Sequence, residues 1–174
     1  LLYIVGDLNG GKIMGRNLTR IRTKKGKSSY AWQSKISIGE AVWQWAVFYL
    51  AIRMPTPWKA WWYGKTGIKI GKNVQIMPLV TTDIFFPKLI SIGDNSIIGL
   101  DVTIICHEFT INEFKYGPVK IGKDVLIGAK AFILPGVTIG DGAIVSAQTV
   151  VYKDVPKNMV AYGSPMQFMK IKKK

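Results

Sequence analysis

The chain has 174 residues, 48% of them hydrophobic and 20% charged, with a formal net charge of +14. That length suits one domain of ordinary size plus an attachment, and the composition excludes a disordered chain and a purely membranous one. A single cysteine, Cys106, excludes an internal disulfide and a cysteine-rich metal site, and fits a reducing compartment.

Residues 1–35 read as a basic N-terminal arm. Lys12, Arg16, Arg20, Arg22, Lys24, Lys25, Lys27 and Lys35 stand there against one acid, Asp7. Such a run is either solvated or drawn to an anionic membrane surface or another polyanion, with nothing to specify a nucleic acid. The first dozen residues read as a short strand or a loose arm. Residues 1–5 are too short for a signal peptide and lack its basic n-region.

Residues 36–66 form a Trp-rich segment. All six tryptophans, Trp32, Trp43, Trp45, Trp58, Trp61 and Trp62, fall within or just before it. Residues 40–54 read as a strongly apolar helix that Pro55 and Pro57 bring to an end. The segment either caps the open end of the domain that follows or lies in a membrane interface, where Trp and Tyr favour the headgroup level. Its longest apolar run, residues 41–52, is well short of the roughly 18–20 residues that span a bilayer. A cytoplasmic protein is expected, with peripheral contact at the inner face of an anionic membrane left open.

From 67 to 157 the sequence repeats. Ile70 and Ile76 are six apart; so are Ile92, Ile98 and Ile104, and so are Ile121, Ile127, Ile133, Ile139, Val145 and Val151. The next residue is Gly at 71, 93, 99, 122, 128 and 140, and the residue four places on is small or β-branched everywhere except at Glu108. A helix wants apolar spacing of three to four, whereas period six fits short strands joined by sharp turns. The expected architecture is all-β, a parallel β-helix of hexapeptide repeats with three hexads to a triangular turn. Glycine is expected to supply the corner angles. Two frame breaks interrupt the period, one around residues 82–87 and one between Ile104 and Ile121. The second sends out a loop that begins at the chain's only histidine, His107, and loops leaving a rigid scaffold are where function tends to sit. Residues 158–174 form a C-terminal segment with a tail of Lys170, Lys172, Lys173 and Lys174.

The stretch VKIGKDVLIGAKAFILPGVTIGDGAIVSAQTVVYKDVPKNMVAYGSP, from Val119 onward, resembles the hexapeptide-repeat acyltransferases, in particular the branch of maltose, galactoside and xenobiotic acetyltransferases. The resemblance implies a left-handed coil, which departs from the usual right-handed crossover. It implies a homotrimer with active sites in the clefts between subunits, and transfer of an acyl group, most simply acetyl from acetyl-CoA, to a hydroxyl or amine of a sugar or other small acceptor. By position, His107 in TIICHEFT matches the family's catalytic histidine. Gly128, Ala129 and Ala147 match positions whose backbone lies against coenzyme A. Tyr152 and Lys153 match the pair along the pantetheine and phosphate end. Gln148, Met166 and Gln167 depart from the usual residues, the last removing one phosphate contact that Lys170 or Lys172 is able to supply.

Histidine suits the chemistry, because its ordinary pKa of about 6.5 lies near working pH and the reaction needs a base. Cys106 and His107 should point to opposite faces of an extended chain, so the cysteine reads as a small buried hydrophobe rather than a nucleophile. Glu108 either orients the imidazole, contacts the acceptor or only marks the start of the loop. No metal is required. The γ-type carbonic anhydrases share the coil but need three histidines where this chain has one. A noncatalytic β-helix scaffold, holding membrane or polyanion through its basic and Trp-rich ends, is the alternative reading.

Overall fold

The computed structural model describes residues 16–171. The opening strand or arm expected at residues 1–12 and the last three lysines lie outside them.

In chain order, strand β1 (Thr19–Arg22) precedes two helices, α1 (Ile38–Arg53) and α2 (Thr56–Gly64). Ser37 caps α1 by accepting from the Glu40 N–H, three residues on, and Met54 and Pro55 end it in extended backbone. The first coil is β2 (Lys69–Ile70), β3 (Gln75–Ile76) and β4 (Thr81–Thr82). The second is β5 (Ile90–Ile92), β6 (Ile97–Ile98) and β7 (Thr103–Ile104). A hairpin, β8 (His107–Phe109) and β9 (Glu113–Tyr116), interrupts the winding. The third coil is β10 (Val119–Ile121), β11 (Leu126–Ile127) and β12 (Phe132–Ile133), and the fourth is β13 (Thr138–Ile139), β14 (Ile144–Val145) and β15 (Val150–Val151). Strands β16 (Met159–Tyr162) and β17 (Gln167–Lys170) close the chain.

Each coil contributes one strand to each of three parallel faces, β2-β5-β10-β13, β3-β6-β11-β14 and β4-β7-β12-β15. The register is kept throughout, Ile98 on Ile127 on Val145 and Ile104 on Ile133 on Val151. All six of these side chains are wholly buried, as are Val102, Val137 and Ala143 four places after an aliphatic. The period of six is therefore the stacking of like on like inside a narrow prism, packed as tightly as any protein interior. β17 folds back antiparallel on β16 at one end. At the other end Tyr63 of α2, also wholly buried, donates its hydroxyl to the Val80 carbonyl of the first coil. The α2 segment thus closes the coil.

The corners differ from the expectation. At the coil corners positive φ falls at Asn73, Leu79, Asn95, Asp101, Asp124, Lys130, Gln148 and Asn158, with Gly136 and Gly142 in equivalent places. Each stands three positions after an inward aliphatic, whereas the glycines directly after the aliphatics have ordinary φ. Those glycines answer to the stacking distance instead. A Cβ on Gly93 would come within 2.6 Å of the Gly122 backbone, and one on Gly128 would strike the Ala147 backbone in the coil above.

The basic arm also differs. Residues 16–28 are not a solvated extension but run along the hairpin. β1 pairs antiparallel with β9, Asn17 N–H donates to Gly136 O at 2.8 Å, Thr23 N–H to Asn112 O at 2.8 Å, and the Ser28 hydroxyl to Thr110 O. The cause is the open edge of β9, which needs a partner. Asn17 packs so closely on Gly117 and Gly136 that a side chain at either glycine would collide with it.

Candidate active site

The two frame breaks leave the coil at the same corner. Thr82 and Ile104 are in-register neighbours on the third face, so the segment after Thr82 and the hairpin after Ile104 start one strand spacing apart. The first break brings in Asp83, buried to 3% exposure, and the second brings in Cys106 and His107.

The Asp83 carboxylate is the hub. Its Oδ1 accepts from the backbone N–H groups of Phe85 (2.8 Å) and Phe86 (2.9 Å). Its Oδ2 accepts from the Cys106 N–H (2.7 Å) and meets His107 Nδ1 at 2.5 Å. Three backbone donors keep the buried carboxylate solvated by protein, and the imidazole is the fourth partner. With Nδ1 carrying the proton toward Asp83, Nε2 is the nitrogen left with a lone pair. Rings wall the imidazole, with centroids of Phe109 at 4.9 Å, Phe85 at 5.2 Å, Phe86 at 5.9 Å and Phe114 at 6.2 Å. Sequence reading passed over Asp83.

Cys106 is wholly buried, and burial, with Asp83 beside it, pushes its thiol far up from the ordinary range. A thiol held protonated is no nucleophile. Glu108 is held by the N-terminal segment. Its Oε1 pairs with Arg16 Nη1 at 2.5 Å, and the same Nη1 reaches the Pro135 carbonyl at 3.5 Å. The pair ties the N-terminal segment to the root of the hairpin beside His107.

The residues matched to coenzyme A contacts lie elsewhere on the same chain. Ala129 and Ala147 stack in successive coils at the corner between the second and third faces, where Gln148 N–H donates to Ala129 O at 2.9 Å, and Gly128 immediately precedes Ala129. Tyr152 and Lys153 follow β15, on the His107 corner but two coils further along. Lys153 Nζ sits over the rings of Phe168 (4.9 Å) and Tyr152 (5.8 Å). One chain therefore brings together Asp83, His107, Glu108 and Arg16, and holds Gly128, Ala129 and Ala147 across the width of the third face. Among the described residues no group of three His, Cys, Asp or Glu side chains is placed to hold a metal ion.

Known proteins share this arrangement of coils. Residues 118–153 match the family model described as the hexapeptide repeat of succinyl-transferase. "Putative acetyltransferase YvoF" of Bacillus subtilis is 50% identical over 102 residues, 59% of this chain and 59% of that protein, so the chain spans about three-fifths of this relative's length. "Putative colanic acid biosynthesis acetyltransferase WcaF" of Escherichia coli is 35% identical over 135 residues, covering 62% of this chain and 71% of that protein. The chain belongs to the hexapeptide-repeat acyltransferases. A crystal structure of a hexapeptide-repeat acetyltransferase from Vibrio cholerae complexed with acetyl coenzyme A shares the fold, with a TM-score of 0.68 at 23% identity over 82% of this chain and 92% of that one. In this hexapeptide-repeat acyltransferase the two frame breaks meet at the corner built around Asp83 and His107.

Proposed function

We propose that the chain is an acetyl-CoA-dependent acetyltransferase that moves acetyl to a hydroxyl or amine of a saccharide or similar small acceptor. The observation that carries this reading is the buried Asp83 carboxylate on His107 Nδ1. It fixes the tautomer and the ring, so that Nε2 takes the proton from the acceptor as its oxygen or nitrogen attacks the thioester carbonyl. The tetrahedral intermediate then expels the coenzyme A thiolate, which recovers the proton from the imidazolium. Asp83 stays ionised throughout and stabilises the imidazolium between the two steps. No enzyme-bound acyl group forms, in keeping with an inert Cys106.

In this reading the coil winds left-handed and three chains associate, with the backbone around Gly128, Ala129 and Ala147 of one subunit facing His107 of the next. The separation of those residues within one chain supports it, as does the exposure of Leu79, Leu100, Leu126 and Phe132 on the outside of the coil. Tyr152 and Lys153 line the pantetheine and phosphate end. Glu108 acts through Arg16 as a brace for the hairpin.

The test incubates the chain with acetyl-labelled acetyl-CoA and a panel of saccharides and amino sugars, with His107→Ala in parallel. Acetylated product from the parent, and about 10²–10⁴-fold less from the variant, is the expected result. A folded parent that neither transfers acetyl nor binds acetyl-CoA at micromolar concentration is a noncatalytic scaffold instead.

A further inference from the structure

The α1–α2 hairpin presents apolar residues outward as well as inward. The inward side of α1 buries Gln44 and half-buries Glu40, beside Val47 and Ala51. The outward side carries Ile38, Val42, Trp43, Trp45, Tyr49 and Leu50, each between 45% and 67% exposed. At 3.6 residues per turn these occupy an arc of about 160°. On α2, Trp58 and Trp61, one turn apart, are 62% and 59% exposed. A helix apolar all round belongs in an interior, and a contiguous apolar surface of this extent marks a docking face.

Charge identifies what docks there. Between residues 16 and 66 the sequence holds ten Lys and Arg residues and one acid, Glu40, which pairs with Lys88 at 2.6 Å. Arg16 pairs with Glu108, Lys59 donates to the Ala51 and Ile52 carbonyls at the end of α1, and Arg53 Nη1 donates to the Tyr49 carbonyl. Cations stand among the exposed rings: the Arg53 guanidinium lies 3.7 Å above the Tyr49 ring, and Lys65 Nζ 4.5 Å above that of Trp61. Lysine such as Lys65 is depleted from protein interfaces, and a second copy would bring the same positive charge to the face. The same pairing is suited to the headgroup layer, where Trp and Tyr settle and Lys and Arg meet anionic lipid. No described helix is long and apolar enough to cross a membrane, so the hairpin lies on the surface.

We propose that the outward face of α1 and α2 is a docking surface for an anionic lipid bilayer, inserting its aromatics at headgroup depth. An apolar hollow of about 230 Å³ between Trp32, Ile38, Trp45 and Phe85 joins this face to the His107 corner, since Trp32 stacks on Phe85 at 4.7 Å and Phe85 meets the imidazole. The membrane would thereby lie beside the catalytic base. The docking itself stands whether or not the chain transfers acetyl.

The test uses the 174-residue chain with phosphatidylcholine vesicles, with and without phosphatidylglycerol, at low and high salt. Expected are partitioning at least tenfold stronger onto the anionic vesicles, weakening as salt rises, and quenching of tryptophan fluorescence by lipids brominated near the headgroup end of the chain. Trp43→Ser with Trp45→Ser, and separately Trp58→Ser with Trp61→Ser, should each lower partitioning about tenfold with the melting temperature unchanged. These side chains are exposed, and the quenching needs no substitution should a variant fail to fold. Three results overturn the proposal. They are no partitioning of the folded parent onto anionic vesicles at low salt, partitioning without quenching, and an assembly of copies that the Trp substitutions dissolve while vesicles are ignored.

Discussion

The coil and the corner it interrupts are built on opposite rules. In the coil, Ile98, Ile104, Ile127 and Ile133 repeat one environment four times over, wholly buried and stacked in register. At the corner no two residues share an environment. A buried carboxylate collects three backbone donors and an imidazole, and an Arg–Glu pair is sealed between the N-terminal segment and a hairpin. Repetition yields rigidity without chemistry, and the departures from it gather polar groups that a uniform core would exclude. The coil's part at the corner is spacing, since two successive turns set Asp83 and His107 at hydrogen-bond distance.

If the two regions are separable, substitutions should divide cleanly between them. The largest expected effect is at the corner. His107→Ala should cut turnover by about 10²–10⁴-fold while acetyl-CoA affinity and the melting temperature hold, and activity within tenfold of the parent would remove the base from His107. Ile133→Ala is the mirror image. It should cost about 2–5 kcal/mol in chemical denaturation, yet leave the specific activity of the folded protein intact. A proportionate loss of turnover there would mean the coil is no passive frame. Asp83→Asn should lower kcat about a hundredfold with little change in KM for acetyl-CoA, because an amide donor facing Nδ1 favours the tautomer with Nε2 protonated. A pH–rate profile identical to the parent's would leave Asp83 only a structural part. Ala147→Phe, at an exposed corner, should weaken acetyl-CoA binding at least tenfold in calorimetry without destabilising the coil. Smallest is Glu108→Gln, which should keep turnover within tenfold and lower stability by about 1–2 kcal/mol through a weakened pair with Arg16. A collapse of turnover would give Glu108 a direct role.

The coil was legible because its constraint is repeated; eleven aliphatics at a fixed step leave little else to explain. His107 stood out as the lone histidine at a break in that step. Asp83 carried a weaker signal, being the first residue after Thr82 just as Ile105 is the first after Ile104. Counting both breaks from the same face would have placed the two insertions side by side. The strand at Thr19–Arg22 was hidden by its charge. Four residues of alternation are outweighed by the lysines around them, and the reason for the strand, an open edge on β9, exists only once the hairpin has formed. The corner glycines misled for a similar cause, since their smallness answers to the neighbouring coil and not to their own backbone angles.

The union of Arg16 with Glu108 spans 92 residues of sequence, whereas each coil meets the next after less than a third of that, the longest step running from Ile92 to Ile121. At roughly 5–20 residues per second of synthesis, the N-terminal segment waits about 5–20 s for its partner to be made. The coil, richer in local contacts, is free to wind in the meantime. The corner that carries His107 therefore closes over a far longer stretch of sequence than any joint between successive coils. Through that interval the segment lacks its strand partner, and β9, once made, pairs with β8 on one edge and keeps the other open for β1. A nascent chain delayed at this stage has its first two coils made, an unassembled corner and a strand free to pair with a neighbouring chain's hairpin.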